Sequence, residues 1–131
     1  MGPFLKTNLE EDLPQVEVNE ALRLDGPLID VRTAEEFSDG CIPGALNQPL
    51  FDRLQRSLIG TLYRQVGHIA AVERGKTLVV PQLERFLANL RPLRSQLMTI
   101  YCARGGMRSG SVTRLLCDEG FKVRQLEGGY K

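Results

Sequence analysis

A cysteine, two glycines and two arginines lie together in the segment from Tyr101 to Ser109, which reads Tyr-Cys-Ala-Arg-Gly-Gly-Met-Arg-Ser. The apolar run Leu97–Tyr101 before it is typical of a buried strand, and apolar residues recur at helical spacing from Arg108 to Glu119. Cys102 is therefore predicted to lie where a strand ends and a helix begins. N–H groups at a helix N-terminus bind oxyanions and favour the thiolate of a nearby cysteine. The pattern predicts a nucleophilic Cys102 in an anion-binding loop.

Each residue type in this loop has a predicted role. Glycines permit positive φ and a close approach of the backbone to an anion. Arg108 is predicted either to hold an oxyanion through its planar fork of donors or to brace the loop through a salt bridge. Ser109 is predicted to cap the helix, with a hydrogen bond to the thiolate as the alternative. The predicted anion-binding loop comprises Ala103, Arg104, Gly105, Gly106, Met107, Arg108 and Ser109.

The cysteine and histidine content limits the possible chemistry. Three cysteines without paired spacing favour a reducing compartment, so a cytoplasmic location is expected. Cys117 lies within the predicted helix and is interpreted as a core residue. The single histidine, His68, has no clustered ligands and is distant in sequence from Cys102, so no metal site and no local Cys/His pair are predicted. Activation of Cys102 is assigned to the loop amides, the helix dipole and Arg104 or Arg108.

The composition is that of one globular domain. The chain has 131 residues, of which 42% are hydrophobic and 25% charged. Its net charge of +1 gives no general attraction to nucleic acid, and no apolar stretch approaches the roughly 18 residues of a membrane span. Arg53, Arg56 and Arg64 are interpreted as part of a solvated helix face.

The first half of the sequence predicts short strands and short helices. Strands are predicted at Gln15–Val18 and at Leu28–Val31, with a helix at Glu20–Leu24 between them that Asn19 caps. After the second strand, Thr33 is the predicted N-cap of a helix through Phe37, with Glu36 completing a capping box. Asp30 and Arg32, at the end of that strand, are interpreted as a structural ion pair. A further strand is predicted near Leu46 and Asn47.

The segment 51–94 is predicted to be mainly helical. Leu54, Leu58, Leu62 and Val66 recur at every fourth residue and predict a face that packs on the sheet. A similar face is predicted from Leu83, Phe86, Leu87 and Leu90. Gly75-Lys76-Thr77 resembles the end of a phosphate-binding P-loop, but Ala70 stands where that motif needs glycine, so Gly75 is interpreted as a helix C-cap.

A last strand is predicted at Val123–Leu126. Strands that alternate with helices indicate an α/β fold with a mainly parallel sheet. In such sheets the ligand site lies at the carboxyl ends of the strands, where Cys102 is placed.

Three separated motifs resemble those of the rhodanese domain. The first is Leu28–Phe37, continued by Gly40–Asn47. The second is the Cys102 loop, and the third is the closing segment Leu126–Tyr130. The resemblance covers most of the chain and implies a rhodanese-like three-layer sandwich with a central, mainly parallel sheet flanked by helices. It also implies that Cys102 carries a persulfide or another chalcogen.

Other features of the sequence resemble those of the rhodanese domain in the tRNA 2-selenouridine synthase family. Five residues separate Cys102 from Arg108, one more than in many single-domain rhodaneses. The segments Gly60–Gly67 and Glu127–Lys131 resemble that family as well. The family converts the wobble 2-thiouridine of tRNA to 2-selenouridine through a geranylated intermediate. The resemblance therefore implies selenophosphate and, in the full enzyme, geranyl diphosphate as co-substrates, with no bound cofactor expected.

The resemblance also implies partners. The family joins its rhodanese domain to a P-loop domain, which residues 1–131 lack. The chain is therefore expected to be a single rhodanese-like domain, either the N-terminal part of a longer protein or a chain whose P-loop partner acts in trans. Contact with tRNA is expected through the full-length enzyme, and Arg104 is a candidate for contact with tRNA phosphate. No membrane partner is expected, and the sequence does not predict an oligomeric state.

Alternatives to the selenium carrier remain open. A generic thiosulfate or persulfide sulfurtransferase is one, and a non-catalytic protein-binding module is another. A cysteine followed by five residues, arginine and serine is also the loop of cysteine-dependent phosphatases and arsenate reductases. Those usually have histidine before the cysteine, where Tyr101 stands here. Many rhodaneses have histidine at the position of Cys41, which is interpreted as a partly buried small residue or as a thiol that resolves a persulfide on Cys102.

Overall fold

A five-stranded parallel sheet forms the centre of the fold in the computed structural model, which describes residues 14–17, 26–103 and 106–130. Its order is β1-β5-β4-β2-β3, and all pairings among the described strands are parallel. The strands are β1 (Gln15–Val16), β2 (Leu28–Asp30), β3 (Leu46–Asn47), β4 (Met98–Tyr101) and β5 (Val123–Leu126). The predicted α/β sandwich with a mainly parallel sheet is confirmed. The predicted helix Glu20–Leu24 with its cap Asn19, and the loop residues Arg104 and Gly105, lie outside the described residues.

Within the described part of the chain, five α-helices connect or follow these strands: α1 (Ala34–Asp39), α2 (Arg53–Gln65), α3 (His68–Val79), α4 (Leu83–Leu90) and α5 (Met107–Asp118). Short 3₁₀ segments at Val80–Gln82 and Arg91–Leu93 follow α3 and α4. The capping box of α1 is confirmed, because Thr33 accepts from the N–H of Glu36 and the Glu36 carboxylate accepts from the N–H of Thr33. Within the described ranges, none of these helices is long and apolar enough to cross a membrane.

The core consists of two apolar clusters. In the larger one Ile29 and Ile100 of the sheet pack with Leu115 and Leu116 of α5, and the predicted face of α4 joins them through Phe86, Leu87 and Leu90. The smaller one contains Val16, Tyr101 and Leu126. Successive strand residues point to opposite faces of a sheet, so Ile100 and Tyr101 belong to different clusters.

The predicted packing face of α2 is wrong. Leu54 is 81% exposed and Val66 is 68% exposed, and Leu58 is exposed as well. No residue of α2 is fully buried. The helix packs mainly against α3, and its inward side carries Arg56, Ile59 and Gly60 rather than the leucine stripe. Periodicity identified the helix but selected the wrong one of its faces.

Gly75 is not a C-cap, contrary to the sequence-based interpretation. It lies inside α3 and is buried. A Cβ at this position would lie 3.4 Å from the ring of Phe51 and 3.9 Å from Ile59, so the glycine admits these side chains close to the helix backbone. Close packing of α3 explains the glycine, and no phosphate-binding loop is formed there.

Candidate active site

Cys102 directly follows β4, and the first turn of α5 contacts its sulfur. The backbone N–H of Ser109 donates to Cys102 Sγ at 3.3 Å, and the thiol donates to Ser109 Oγ at 3.2 Å. Only 1% of the residue's surface is exposed, although Cys102 forms part of a cavity wall. The sulfur therefore lies at the carboxyl edge of the sheet and at a helix N-terminus, as the pattern predicts.

Ser109 does not cap α5, and the capping prediction is wrong. Gly106 is the N-cap, with φ of +74°, which confirms the predicted use of glycine at this turn. Ser109 lies three residues further on, where its hydroxyl contacts Cys102 Sγ and donates to the carbonyl of Gly106 at 3.3 Å. The alternative role of Ser109, as a hydrogen-bonding partner of the thiol, is therefore the one that the geometry supports.

Gln125 supports this turn and was not identified from the sequence. Its Nε2 donates to Ser109 Oγ at 2.9 Å and to the Gly106 carbonyl at 3.0 Å. The side chain is buried on β5, the strand next to β4. A polar residue between the buried residues Val123 and Leu126 of a short strand was the signal that could have revealed it.

Arg108 makes a salt bridge with Glu36 of α1. Its Nη1 and Nη2 donate to the two carboxylate oxygens at 2.8 and 3.3 Å. Burial alone would raise the pKa of Glu36, but the hydrogen bonds from Arg108 and from the Thr33 N–H lower that pKa to about 2. Of the two roles predicted for Arg108, the salt bridge that braces the loop is therefore present. It joins the first sequence motif, which contains Glu36, to the cysteine loop.

Asp30 and Arg32 form a buried ion pair at the end of β2, as predicted. Arg32 Nη2 lies 2.7 Å from Asp30 Oδ2 and also donates to the carbonyl of Gly40 at 2.6 Å. Burial alone would lower the pKa of Arg32, but hydrogen bonding and charge attraction to Asp30 raise it above its ordinary value. The guanidinium lies 4.3 Å from the ring centroid of Tyr130, in cation–π geometry. The pair therefore connects β2, α1 and the closing segment.

The closing segment packs directly on the cysteine loop. The N–H of Tyr130 donates to the carbonyl of Cys102 at 2.8 Å. Gly129 has φ of +62°, and a Cβ there would lie 2.6 Å from the Ala103 oxygen and 2.7 Å from the Cys102 oxygen. Only glycine fits this approach without a shift of the backbone. The three motifs that are separated in sequence thus meet around Cys102.

A cavity of about 550 Å³ lies beside Cys102, a size typical of small-molecule sites. The described residues on the loop side of its wall are Cys102, Ala103, Gly106, Met107, Arg108 and Ser111. The opposite side comes from α2 and α3 and is partly apolar, with Ile59, Ala71, Val72 and Val79. Cationic groups of these two helices also line it, and no Asp or Glu of the described chain does so. The cavity is therefore suited to an anion.

Two of the arginines interpreted as a solvated face line this cavity. The half-buried Arg56 and the exposed Arg64 both belong to its wall, whereas Arg53, which is also exposed, does not. Four-residue spacing around Gly60 was a sequence signal for a shared helix face. The interpretation failed because the same helix carries a more conspicuous leucine stripe.

The remaining histidine and cysteines have different surroundings. His68 lines the cavity at the start of α3, and its ring lies 6.1 Å from that of Tyr63, so the fold brings it into the same cavity as Cys102. This placement could not be predicted because His68 and Cys102 are far apart in the sequence. Cys41 is half-buried and is not among the described residues that line the cavity. Cys117 packs against the larger core cluster, and burial raises the pKa of its thiol.

Comparison with known proteins identifies the family. Residues 15–131 match the rhodanese-like domain. The chain belongs to the rhodanese-like domain family. A solved structure of the N-terminal domain of a Clostridium difficile 630 protein, described as ATP/GTP-binding, superposes with a TM-score of 0.83 at 39% identity and covers 88% of this chain and 92% of that one.

Two relatives of this rhodanese-like domain are named tRNA 2-selenouridine synthase. The protein from Pseudomonas syringae pv. tomato is 41% identical over 110 residues, which cover 82% of this chain and 30% of the relative. The protein from Proteus mirabilis is 37% identical over 126 residues, which cover 94% and 35%. The identity to these relatives confirms the resemblance drawn from the motifs. The chain spans about a third of their length.

Proposed function

We propose that this chain is the rhodanese domain of a tRNA 2-selenouridine synthase and that Cys102 carries sulfur or selenium as a thiolate-bound chalcogen. The placement of Cys102 Sγ carries the proposal, because the sulfur lies on the wall of an anion-suited cavity and receives a hydrogen bond from the Ser109 N–H. The names of the relatives support the choice of reaction. In this proposal the P-loop domain belongs to the rest of a longer protein or to a separate chain, and the tRNA binds to the complete enzyme.

Loading with sulfur is a single displacement. The Cys102 thiolate forms a bond to the outer sulfur of thiosulfate, the S–S bond of the donor breaks, and sulfite leaves with the electron pair. When the thiol proton is lost, the Ser109 hydroxyl can turn from the Gly106 carbonyl to donate to the sulfur, since it lies 3.2 Å away. The Ser109 N–H is already directed at the same atom. Both donors stabilise the anionic persulfide that results.

Selenium reaches the same sulfur by exchange. Water cleaves the P–Se bond of selenophosphate and yields phosphate and hydroselenide. Hydroselenide then forms a bond to the cysteine sulfur of the persulfide, the S–S bond breaks, and hydrosulfide leaves with the electron pair. Selenium enters at the selenide level and no external oxidant is needed. Geranyl diphosphate belongs to the proposed full enzyme and not to this loading step.

The geometry favours a chalcogen carrier over the phosphatase alternative. A phosphatase of this loop type uses the loop arginine to hold phosphate and an acid to protonate the leaving group. Here Arg108 donates two hydrogen bonds to Glu36. The same contact holds the pKa of Glu36 at about 2, so this carboxylate is ionised at neutral pH and cannot act as that acid.

Intact mass spectrometry tests the loading steps. Wild-type protein treated with thiosulfate is expected to gain one sulfur atom, and later addition of selenophosphate is expected to replace that sulfur with selenium. Cys102→Ala is expected to gain neither, whereas Cys117→Ala, which alters a core thiol, is expected to behave as wild type. A wild-type protein without any adduct would refute the carrier role. Cys41→Ser tests the resolving thiol, and unchanged release of the chalcogen to a thiol acceptor would exclude that role.

The tRNA reaction needs the longer protein. In a strain that lacks 2-selenouridine, a full-length gene with Cys102→Ala is expected to leave tRNA without the modified base, while the Cys117→Ala gene restores it. Normal 2-selenouridine with Cys102→Ala would refute the proposal even if the isolated domain forms a persulfide.

A further inference from the structure

One face of α2 brings two arginines together on the cavity wall, where Arg56 is half-buried and Arg64 is exposed. Arg56, Gly60 and Arg64 follow at four-residue spacing, and all three line the cavity. The Nη1 atoms of Arg56 and Arg64 lie 3.1 and 3.4 Å from the position that a Cβ on residue 60 would occupy. The absence of a side chain at Gly60 therefore leaves a space in which the two guanidinium groups approach each other.

Among the described residues, these two cations lack the carboxylate partners that Arg32 and Arg108 have. Within the described ranges, the salt bridges involve Arg32, Lys76 and Arg108 but neither Arg56 nor Arg64. The Nε of Arg56 is buried and has no hydrogen-bond partner in the part of the chain that the structure describes. Burial lowers the pKa of Arg56, and the positive charge of Arg108 lowers it further. A buried donor without a partner and adjacent like charges both cost free energy, which an anion bound between them would offset.

We propose that Arg56 and Arg64 form an oxyanion clamp for the chalcogen donor, and that they bind the tetrahedral end of a thiosulfate or selenophosphate ion in the cavity of Cys102. The proposal rests on the proposed function and adds a binding site to it. Arg108 is held by Glu36, so among the described residues of the cavity wall the arginines without a carboxylate partner come from α2. A guanidinium presents paired N–H groups that match the oxygens of such an anion.

Charge balance gives the clamp a role in transfer. In the loading step thiosulfate is a dianion and Cys102 attacks it as an anion, so the two reactants repel each other as they approach. Two guanidinium groups in the same cavity compensate this repulsion, and the apolar part of the wall, with Ile59 and Val79, strengthens the attraction by excluding water. The clamp accounts for a cationic face on a helix that has no fully buried residue.

Calorimetric titration with thiosulfate tests the clamp without transfer if every variant carries Cys102→Ser. Arg56→Gln and Arg64→Gln are each expected to weaken thiosulfate binding about tenfold, the loss of one charge-assisted hydrogen bond. The matched control is Arg53→Gln on the same helix, which is exposed and outside the cavity lining, and it is expected to leave the affinity unchanged. Equal affinities for all three variants would overturn the clamp.

A second probe separates the donor from the RNA substrate as the source of the anion. Uridine monophosphate is expected to bind more weakly than thiosulfate at these arginines. Tighter, Arg56-dependent binding of uridine monophosphate would assign the site to an RNA phosphate and overturn the donor assignment. Thermal unfolding of each variant without ligand confirms that it is folded.

The clamp and the carrier role fail in different measurements. If wild type forms the persulfide but Arg56→Gln and Arg64→Gln bind thiosulfate as Arg53→Gln does, only the clamp is refuted. If thiosulfate binding depends on both arginines but no adduct forms on Cys102, only the proposed function is refuted.

Discussion

The two sides of the cavity use arginine in opposite ways. On the loop wall, whose described residues are Cys102, Ala103, Gly106, Met107, Arg108 and Ser111, Arg108 is paired with Glu36. Arg32, which packs on the closing segment, is paired with Asp30. On the hairpin wall, formed by the cavity-lining residues of α2 and α3, Arg56 and Arg64 have no carboxylate partner among the described residues. The residue type is the same, and the partner determines whether it stabilises the fold or remains available to a ligand.

The difference separates stability from binding. Replacement of a paired arginine or its carboxylate leaves a partly buried charge uncompensated, which is costly. Replacement of an unpaired cation near another cation removes repulsion and costs little. Variants of the loop wall and its supports should therefore destabilise the domain, whereas variants of the hairpin wall should change ligand binding with little change in stability.

Asp30→Asn is expected to have the largest effect. It removes the charge that compensates the buried guanidinium of Arg32, so the free energy of unfolding should fall by about 3–5 kcal/mol. Urea unfolding measures the loss. The control is Glu73→Gln, because Glu73 is 69% exposed and lies 3.9 Å from Lys76, and its loss should be below about 1 kcal/mol. Equal losses for the two variants would contradict the supporting role of the buried pair.

Gly129→Ala is expected to cause the second-largest loss of stability. Its Cβ would lie 2.6 Å from the Ala103 oxygen at a positive φ, so overpacking and backbone strain together should cost about 3 kcal/mol. Gly44→Ala is the matched control, because Gly44 also has positive φ, of +84°, but no atom of the described residues lies within 4 Å of its added Cβ. It should cost only about 1 kcal/mol. Persulfide formation should slow in Gly129→Ala alone, and similar results for both variants would show that contact with the cysteine loop is unimportant.

Glu36→Gln should have a smaller, pH-dependent effect. Because the folded pKa of Glu36 is about 2 and its ordinary value is 4.5, the ionised pair contributes stability above the ordinary value and loses it as the pH falls toward 2. The side chain is 31% exposed, so solvent screening should limit the contribution to about 1–2 kcal/mol at neutral pH. Urea unfolding across this range should show the difference from wild type shrinking as pH falls. Glu35→Gln, the exposed neighbour, should show no such trend; a constant difference for Glu36→Gln would argue against the brace.

Arg56→Gln should have the smallest effect on stability. Removal of an unpaired cation should leave the free energy of unfolding within about 0.5 kcal/mol of wild type, or raise it. Arg108→Gln, which leaves Glu36 without its partner, should lower it by about 2 kcal/mol. Thermal unfolding in a buffer free of sulfate and phosphate compares the two. Equal losses would show that both walls are structural and would remove the distinction between them.

The fold was largely predictable because its signals are local. Short apolar runs gave the strands, and the Thr33–Glu36 capping box gave the start of α1. The neighbourhood of Cys102 was partly predictable for the same reason, since a strand followed by glycine and a helix fixes where the sulfur lies. Ser109 was misassigned because its hydroxyl had two chemically reasonable partners, and only the turn at Gly106 decides between them.

The hairpin wall was not predictable from local pattern. Helix α2 has a leucine stripe and an arginine–glycine stripe, and the direction in which each faces depends on how α2 packs on α3. Leu54 is exposed and Arg56 lines the cavity, which reverses the expectation from hydrophobicity. His68 enters the cavity through the same packing. Contacts between residues distant in sequence determine these placements, and a single sequence contains no direct record of them.

The location of the transferred sulfur tests the central claim most directly. Wild-type protein is treated with thiosulfate, its persulfides are trapped by alkylation, and the peptides that contain Cys41, Cys102 and Cys117 are compared by mass. The account predicts that the added sulfur is on Cys102, in the cavity and within reach of Ser109. An added sulfur on Cys41 or Cys117 alone, or on none of the three, would contradict it.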